Sequence, residues 1–275
     1  MRNEKRPPFK GKKKKNERPV RKEKEPTAEI IDDNFVFGHH ATVEAIQQGR
    51  GNKLFLQEDS KAEKVEQLKL LAKENAVPVK WVPKQKLDTM SDHGVHQGVV
   101  LAVTAYEYLT LDELLLQTKE KTETPFFLIL DSIEDPHNFG SILRTADATG
   151  VDGIIIPKHR AVGITPVVTK ASTGAVEYVP VARVTNLSQS IAQLKENHFW
   201  IFGTDMKGTD YRQWNSQGAI ALIIGNEGRG MSQGLHKEVD ELLTIPMGGH
   251  VQSLNAGVAA GLLMYEAYRG RNPIG

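Results

Sequence analysis

Six runs after residue 124, PFFLILD, DGIIIP, EYVPVARV, FWIFGT, AIALIIG and LLTIPM, are dominated by Ile, Leu, Val and Phe, and several are nearly unbroken. A strand with one wet face alternates apolar and polar residues, whereas a near-continuous apolar strand has to be covered on both faces. Amphipathic stretches lie between the runs and supply the cover. Helices are expected from near Asn138, over about 165–172, in LSQSIAQLKENH, briefly after Met231, and from near Leu254 through Tyr268. The pattern predicts an α/β domain with a mostly parallel sheet. Ligands of such sheets bind beyond the carboxyl ends of the strands, so the loops leaving those ends are where chemistry is sought.

A second, smaller α/β unit is expected ahead of it. FVFG, KLFLQ, VPVKWV and QGVVLAVTAY read as strands, and HATVEAIQQG and KAEKVEQLKLLAKENA as helices, with a short polar segment before the last strand. In the second helix Val65, Leu68, Leu71 and Ala72 recur at three- and four-residue spacing and make one buried face. The chain of 275 residues divides on this reading into a basic tail (1–28), a small domain (29–105), a linker (106–123) and the large domain (124–275). Residues 1–26 hold 12 Lys or Arg against 4 Glu, near +8, and the remainder holds 23 basic against 30 acidic residues, near −7. A tail with so little to bury stays solvated, and its charge suits a polyanion such as RNA. The chain has no cysteine, no apolar secretory leader and no apolar run of membrane-spanning length. A cytoplasmic protein with no membrane association is expected.

Three loops carry residues that a plain core does not need. In DSIEDPHNFGSILRTADATG, Asp135 and Pro136 stop a strand, Asn138 is placed to cap the next helix, and Arg144 projects from its second turn. ALIIGNEGRGMS ends a buried strand in a tight turn of Asn226, Glu227, Gly228, Arg229 and Gly230. GGHVQSLNAGVAAG places Ser253 and Asn255 behind Gly248 and Gly249, at the start of the last helix, whose unpaired amides favour polar or anionic groups. The glycines are expected to let the backbone bend around a bound molecule. Past this point Val258, Leu262 and Tyr265 form a stripe read as core packing.

Other chemistries fit poorly. The second loop has G-x-x-G-x-G spacing rather than the dinucleotide fingerprint, GTDMKGT lacks the lysine of a phosphate-binding P-loop, and no G-x-S-x-G elbow is present. His39 with His40, and His93 with His96, lack the ligand spacing of a metal site and are read as surface or RNA-facing imidazoles.

In order and spacing, DPHNFGSILRTAD, IIGNEGRGM and IPMGGHVQSLNAGVAAG resemble the three motifs of the SpoU (TrmH-like) RNA 2′-O-ribose methyltransferases, over residues 124–270. FVFGHHATVEAI and HQGVVLAV resemble the ribosomal-protein-like RNA-binding domain of the 23S rRNA guanosine 2′-O-methyltransferase subfamily. The resemblance implies a knotted SPOUT-type catalytic domain with a C-terminal trefoil knot, S-adenosyl-L-methionine as methyl donor, and a homodimer formed through that domain. It implies a catalytic set of Asn138, Arg144, Glu227, Ser253 and Asn255. For the cofactor it implies Gly203, Thr204, Gly225, Asn226, Gly228, Ile245, Met247, Gly248, Ser253, Leu254 and Asn255. Asn138 would orient the acceptor, Glu227 would hold Arg144 or the neighbouring loop, and Arg144 would clamp the target phosphate and oxygen. Many relatives carry a serine where this chain has Gly257. The substrate expected is a 23S rRNA guanosine, with a tRNA methyltransferase or a non-catalytic ribosome-assembly factor as alternatives.

Overall fold

The computed structural model describes residues 34–58, 60, 62–251 and 253–273. The basic tail expected over 1–28 lies outside the described residues.

The small domain runs β1 (Asn34–Phe37), α1 (His39–Gln47), β2 (Gly51–Gln57), α2 (Glu63–Glu74), β3 (Val79–Val82), α3 (Lys84–Met90) and β4 (Val99–Val103). Its sheet has the order β1-β4-β2-β3, with β4 antiparallel to β1 and β2, and β2 parallel to β3. Val65, Leu68 and Ala72 of α2 are buried against it, as their spacing predicts, with Leu71 packed at the margin. The polar segment before β4 holds α3, which buries Leu87 alone and so leaves no periodic apolar signal.

Residues 106–123, read as a linker, contain α4 (Leu111–Lys119). Thr110 and Glu113 form a reciprocal capping box at its start. Leu111 and Leu114 are buried in the core of the large domain, and Leu109 bridges to Ala182 of its sheet. Two to three apolar anchors in one short helix outweigh the charged stretch that follows, so the segment belongs to the large domain.

The large domain continues with β5 (Phe126–Leu130), α5 (Pro136–Ala148), β6 (Gly153–Pro157), α6 (Pro166–Ala171), β7 (Val181–Val184), α7 (Leu187–Glu196), β8 (Trp200–Asp210), β9 (Ile220–Ile224), α8 (Gln233–His236), β10 (Glu241–Thr244) and α9 (Ala256–Arg271). Its six strands lie in the order β10-β8-β9-β5-β6-β7, every pair parallel. All five residues of β5 and of β9 are buried, between one core packed by α5 and α9 and another by α4 and α7. Two strands depart from expectation. β7 starts only at Val181, behind Pro180, because residues 175–177 form a 3₁₀ turn. β8 runs on through polar residues to Asp210, because β10 pairs with it at Gly203 and again at Thr209 and Asp210, with 204–208 bulged between.

The two domains are fastened together. Arg50 of α1's following turn pairs with Glu177, whose side chain is 3% exposed, and its guanidinium lies 5.7 Å from the Tyr106 ring. The Tyr178 hydroxyl donates to Glu44, and Lys170 Nζ donates to the Val95 carbonyl at 2.7 Å. Burial pushes the Tyr106 phenol up to about 12 while its oxygen accepts from the Val181 amide at 3.2 Å.

Candidate active site

The first loop ends differently from its sequence reading. Asp135, not Asn138, caps α5, accepting from the His137 amide at 2.9 Å, with Pro136 at the first helical position. An aspartate before proline already has the extended backbone a cap needs, and proline there lacks an amide that would go unpaired anyway. Asn138 is therefore released from capping, and its buried side chain points into the site.

There it meets the other two loops. Glu227 Oε1 accepts from Asn138 Nδ2 at 2.7 Å, from Asn255 Nδ2 at 2.6 Å and from the Ala256 amide at 3.1 Å. Asn255 Nδ2 also donates to Asn138 Oδ1 at 2.8 Å. Asn255 is itself the cap of α9, accepting from the Val258 amide at 3.2 Å. Two early amides of α9 are thus satisfied within the chain, and the Glu227 carboxylate sits at the positive end of the helix. This corrects one expectation, since the α9 start is not held open for a ligand by these amides. Of the two roles expected for Glu227, it holds the neighbouring loop at Asn255 and Ala256, together with Asn138, and not Arg144.

Around this triad the strand ends are tied to one another. Asn226 Oδ1 accepts from the amides of Gly228 and Arg229, and its Nδ2 donates to the Ser132 carbonyl at 3.0 Å. Buried Asp131 accepts from the Ser232 amide at 2.7 Å and the Ser132 hydroxyl at 3.1 Å. Ser132 adopts φ +62°, a strained choice for serine that these bonds hold in place. Asp131 and Ser132 escaped the sequence reading, although an aspartate ending an apolar strand was visible.

Arg144 is exposed on α5, and no hydrogen bond or ion pair engages it among the described residues. It lies one turn beyond Ser141, whose Oγ would be 3.3 Å from a Cβ placed on Gly257. The same Cβ would stand 3.2 Å from Asn255 Oδ1, so glycine at 257 gives α9 a close seat on α5. Ser253 is exposed, three residues short of α9, and makes no side-chain hydrogen bond among the described residues.

Of the residues expected at a cofactor, Ile245, Met247, Gly248 and Leu254 line one cavity of about 400 Å³, with Pro246, Gly249 and Tyr211. Gly248 and Gly249 have open space where a Cβ would stand, and neither has positive φ, so they leave room rather than bend the chain. Gly203, Thr204, Gly225, Asn226 and Gly228 do not line that cavity. A Cβ on Gly203 would lie 2.5 Å from Met231 Cε, and one on Gly225 would lie 2.3 Å from the Gly230 and Met231 backbone. These two glycines serve close packing of the strand ends, with Thr204 Oγ1 donating to the Ile223 carbonyl at 3.4 Å.

Of the four histidines read as surface groups, His40 and His93 are exposed, while His39 and His96 bond within the fold. His96 is buried, its Nε2 3.0 Å from Asp88 Oδ1 and its Nδ1 accepting from the Gly98 amide. His39 Nε2 lies 3.1 Å from the Lys64 carbonyl. The stripe of Val258, Leu262 and Tyr265 is also corrected. Those side chains are 52%, 40% and 54% exposed, and α9 buries Ala260, Leu263, Met264 and Ala267 instead.

Residues 125–265 match the model of the SpoU rRNA Methylase family, and residues 35–109 match that of the RNA 2′-O ribose methyltransferase substrate-binding domain. YacO of Bacillus subtilis, named for the TrmH family of tRNA/rRNA methyltransferases, is 50% identical over 244 residues, 88% of this chain and 98% of its own. A Staphylococcus aureus protein named for the same family is 49% identical over 247 residues, 89% and 99% of the two chains. The SpoU methyltransferase AviRb of Streptomyces viridochromogenes, solved with AdoMet, superposes with TM-score 0.72 at 25% identity over 86% of this chain and 90% of that one. An AdoMet-bound rRNA methyltransferase of Sinorhizobium meliloti gives 0.71 at 26% identity, covering 86% and 87%. With its own strand order, its three joined loops and matches along both domains, the chain belongs to the SpoU (TrmH-like) family of RNA methyltransferases.

Proposed function

We propose that this protein transfers a methyl group from S-adenosylmethionine to a ribose 2′-hydroxyl of RNA, a 23S rRNA guanosine, acting in the cytoplasm as a homodimer. The observation that carries the reading is the Asn138–Glu227–Asn255 triad, which gathers residues 89 and 117 positions apart. A protein that only binds RNA has no need to spend two asparagines and a glutamate on a network beside a cavity at the strand ends.

The cofactor fits the residues present. The cavity of about 400 Å³ mixes apolar walls at Ile245, Met247 and Leu254 with glycine backbone whose Cβ positions are open, as a nucleoside with a charged tail requires. Bound S-adenosylmethionine supplies an electrophilic methyl group on a sulfonium. Gly203, Thr204, Gly225, Asn226 and Gly228 shape the neighbouring strand ends behind it.

The chain's part is chiefly to position the acceptor. Asn138, fixed by Glu227 and Asn255, presents an amide to the ribose, and Ser253 offers a hydroxyl from the loop before α9. Arg144, free on its helix face, clamps the target phosphate and stabilises the oxygen as its proton leaves to a phosphate oxygen or water. A guanidinium holds its own proton too tightly to act as the base. The trefoil threading of the last helix belongs to the same proposal. So does the tail's role as an RNA tether.

Arg144→Ala tests the site: transfer is lost while cofactor binding persists by calorimetry, and wild-type-like turnover refutes the assignment. Mapping 2′-O-methylation across rRNA and tRNA in cells with and without the protein tests the substrate. A missing tRNA mark keeps the enzyme and corrects its target.

A further inference from the structure

The surface loop that follows β6 carries a charge that nothing in the site accounts for. Lys158, His159 and Arg160 are consecutive and exposed, and none of them forms an ion pair among the described residues. They stand on a body with an excess of acidic residues. The strand pairing puts them at the same end of the sheet as the triad, since Ile155 of β6 pairs with Ile129 of β5, two residues before Asp131.

This loop is fixed more firmly than a solubilising charge run requires. The Lys158 amide donates to the Val184 carbonyl at 2.8 Å, and its carbonyl accepts from Arg183 Nη2 at 3.1 Å. Farther on, the Val162 amide donates to the Ile133 carbonyl at 2.9 Å, in the loop that leads into α5. The Ile164 amide donates to the Tyr108 hydroxyl at 2.6 Å. Gly163 allows that approach, because a Cβ there would lie 2.8 Å from the same hydroxyl. Arg160 takes φ +59°, a turn that an arginine adopts at a cost. The adjoining loop carries Glu134 and Asp135, and Asp135 is spent on capping α5.

We infer that Lys158–Arg160 is a preorganised phosphate-binding surface on the catalytic domain, which grips the RNA backbone beside the target nucleotide. The inference rests on the RNA methyltransferase reading above and assigns a positioning role outside the triad. Cations held on a fixed backbone lose little freedom when they meet phosphates, and each contact releases condensed counterions.

The test compares wild type with the double variant Lys158→Gln/Arg160→Asn, asparagine being at ease with the left-handed backbone at 160. Probes are a short fluorescein-labelled mixed-sequence RNA and transcribed 23S rRNA, titrated at several salt concentrations. The double variant binds both about tenfold more weakly, and the slope of log affinity against log salt shrinks by about 1.4, as for two lost single-strand phosphate contacts. S-adenosylmethionine affinity and melting temperature stay unchanged, and Arg160→Lys keeps most of the RNA affinity. A double variant with unaltered affinity and slope overturns this surface while leaving the enzyme reading intact. A wild type that binds neither RNA overturns both.

Discussion

Oε1 of Glu227 accepts from Asn138, from Asn255 and from the backbone of Ala256, so one carboxylate oxygen joins two helices. Removing it strips a charged acceptor from a buried amide. Glu227→Ala is expected to cost about 1 kcal/mol of stability, because Glu227 itself is largely exposed, and about 100-fold in turnover, because Asn138 loses its aim. Thermal melting and single-turnover methylation check the two parts. The residues of this network were marked in the sequence by the resemblance of the three motifs to a known family, since Asn138 taken alone reads as a helix cap. Their roles were not. Whether position 135 or 138 caps α5 depends on where the chain turns, and an Asp-Pro pair settles that by backbone sterics that hydrophobic periodicity does not sense.

Among the elements, β8 and its bulge show how a polar stretch earns a place in the fold. His236 of α8 lies 2.9 Å from Asp205 in the bulge and joins α8 to β8 beside the turn that carries Glu227. That hydrogen bond, with a second from the Lys207 amide, holds the Asp205 carboxyl below its ordinary 3.8. A carboxyl lowered on folding adds stability above its unfolded pKa, and the gain disappears as pH falls through the folded value. Asp205→Asn is therefore expected to be slightly less stable than wild type near neutrality, by less than about 1 kcal/mol since both side chains are a third exposed. The difference closes below the carboxylate range, as urea unfolding across acid pH would measure, and a gap that widens with acid contradicts the pairing. Strands with continuous apolar runs were legible element by element. β8's tail, α3 and α4 were not, because each is held by backbone pairing or by one to three anchors rather than by a repeating face. For α4 the Thr110–Glu113 capping box was the available signal.

At the scale of the whole molecule, α9 has two apolar sides, and only one is covered among the described residues. Ala260, Leu263, Met264 and Ala267 face α5 and the sheet, while Val258, Leu262, Tyr265 and Tyr268 are exposed. A face of this kind beside a cavity it also helps to line supports the homodimer proposed above. Light scattering is expected to give twice the 30.5 kDa chain mass, and Leu262→Glu with Tyr265→Glu to return it to one. A wild type that stays at one chain mass contradicts it. From sequence the stripe passed for interior packing, because periodicity reports that a face is apolar and not what covers it.

The join between the domains has a consequence for the nucleic acid. Arg50 and Glu177 meet where Glu177 is sealed from water, and Tyr178 and Lys170 bridge the same seam. On the function proposed above, with an RNA held by both halves, these ties favour one separation between its anchoring fold and its reacting sugar, so a single base pair inserted between those landmarks is expected to lower methylation of a substrate whose landmarks are both intact.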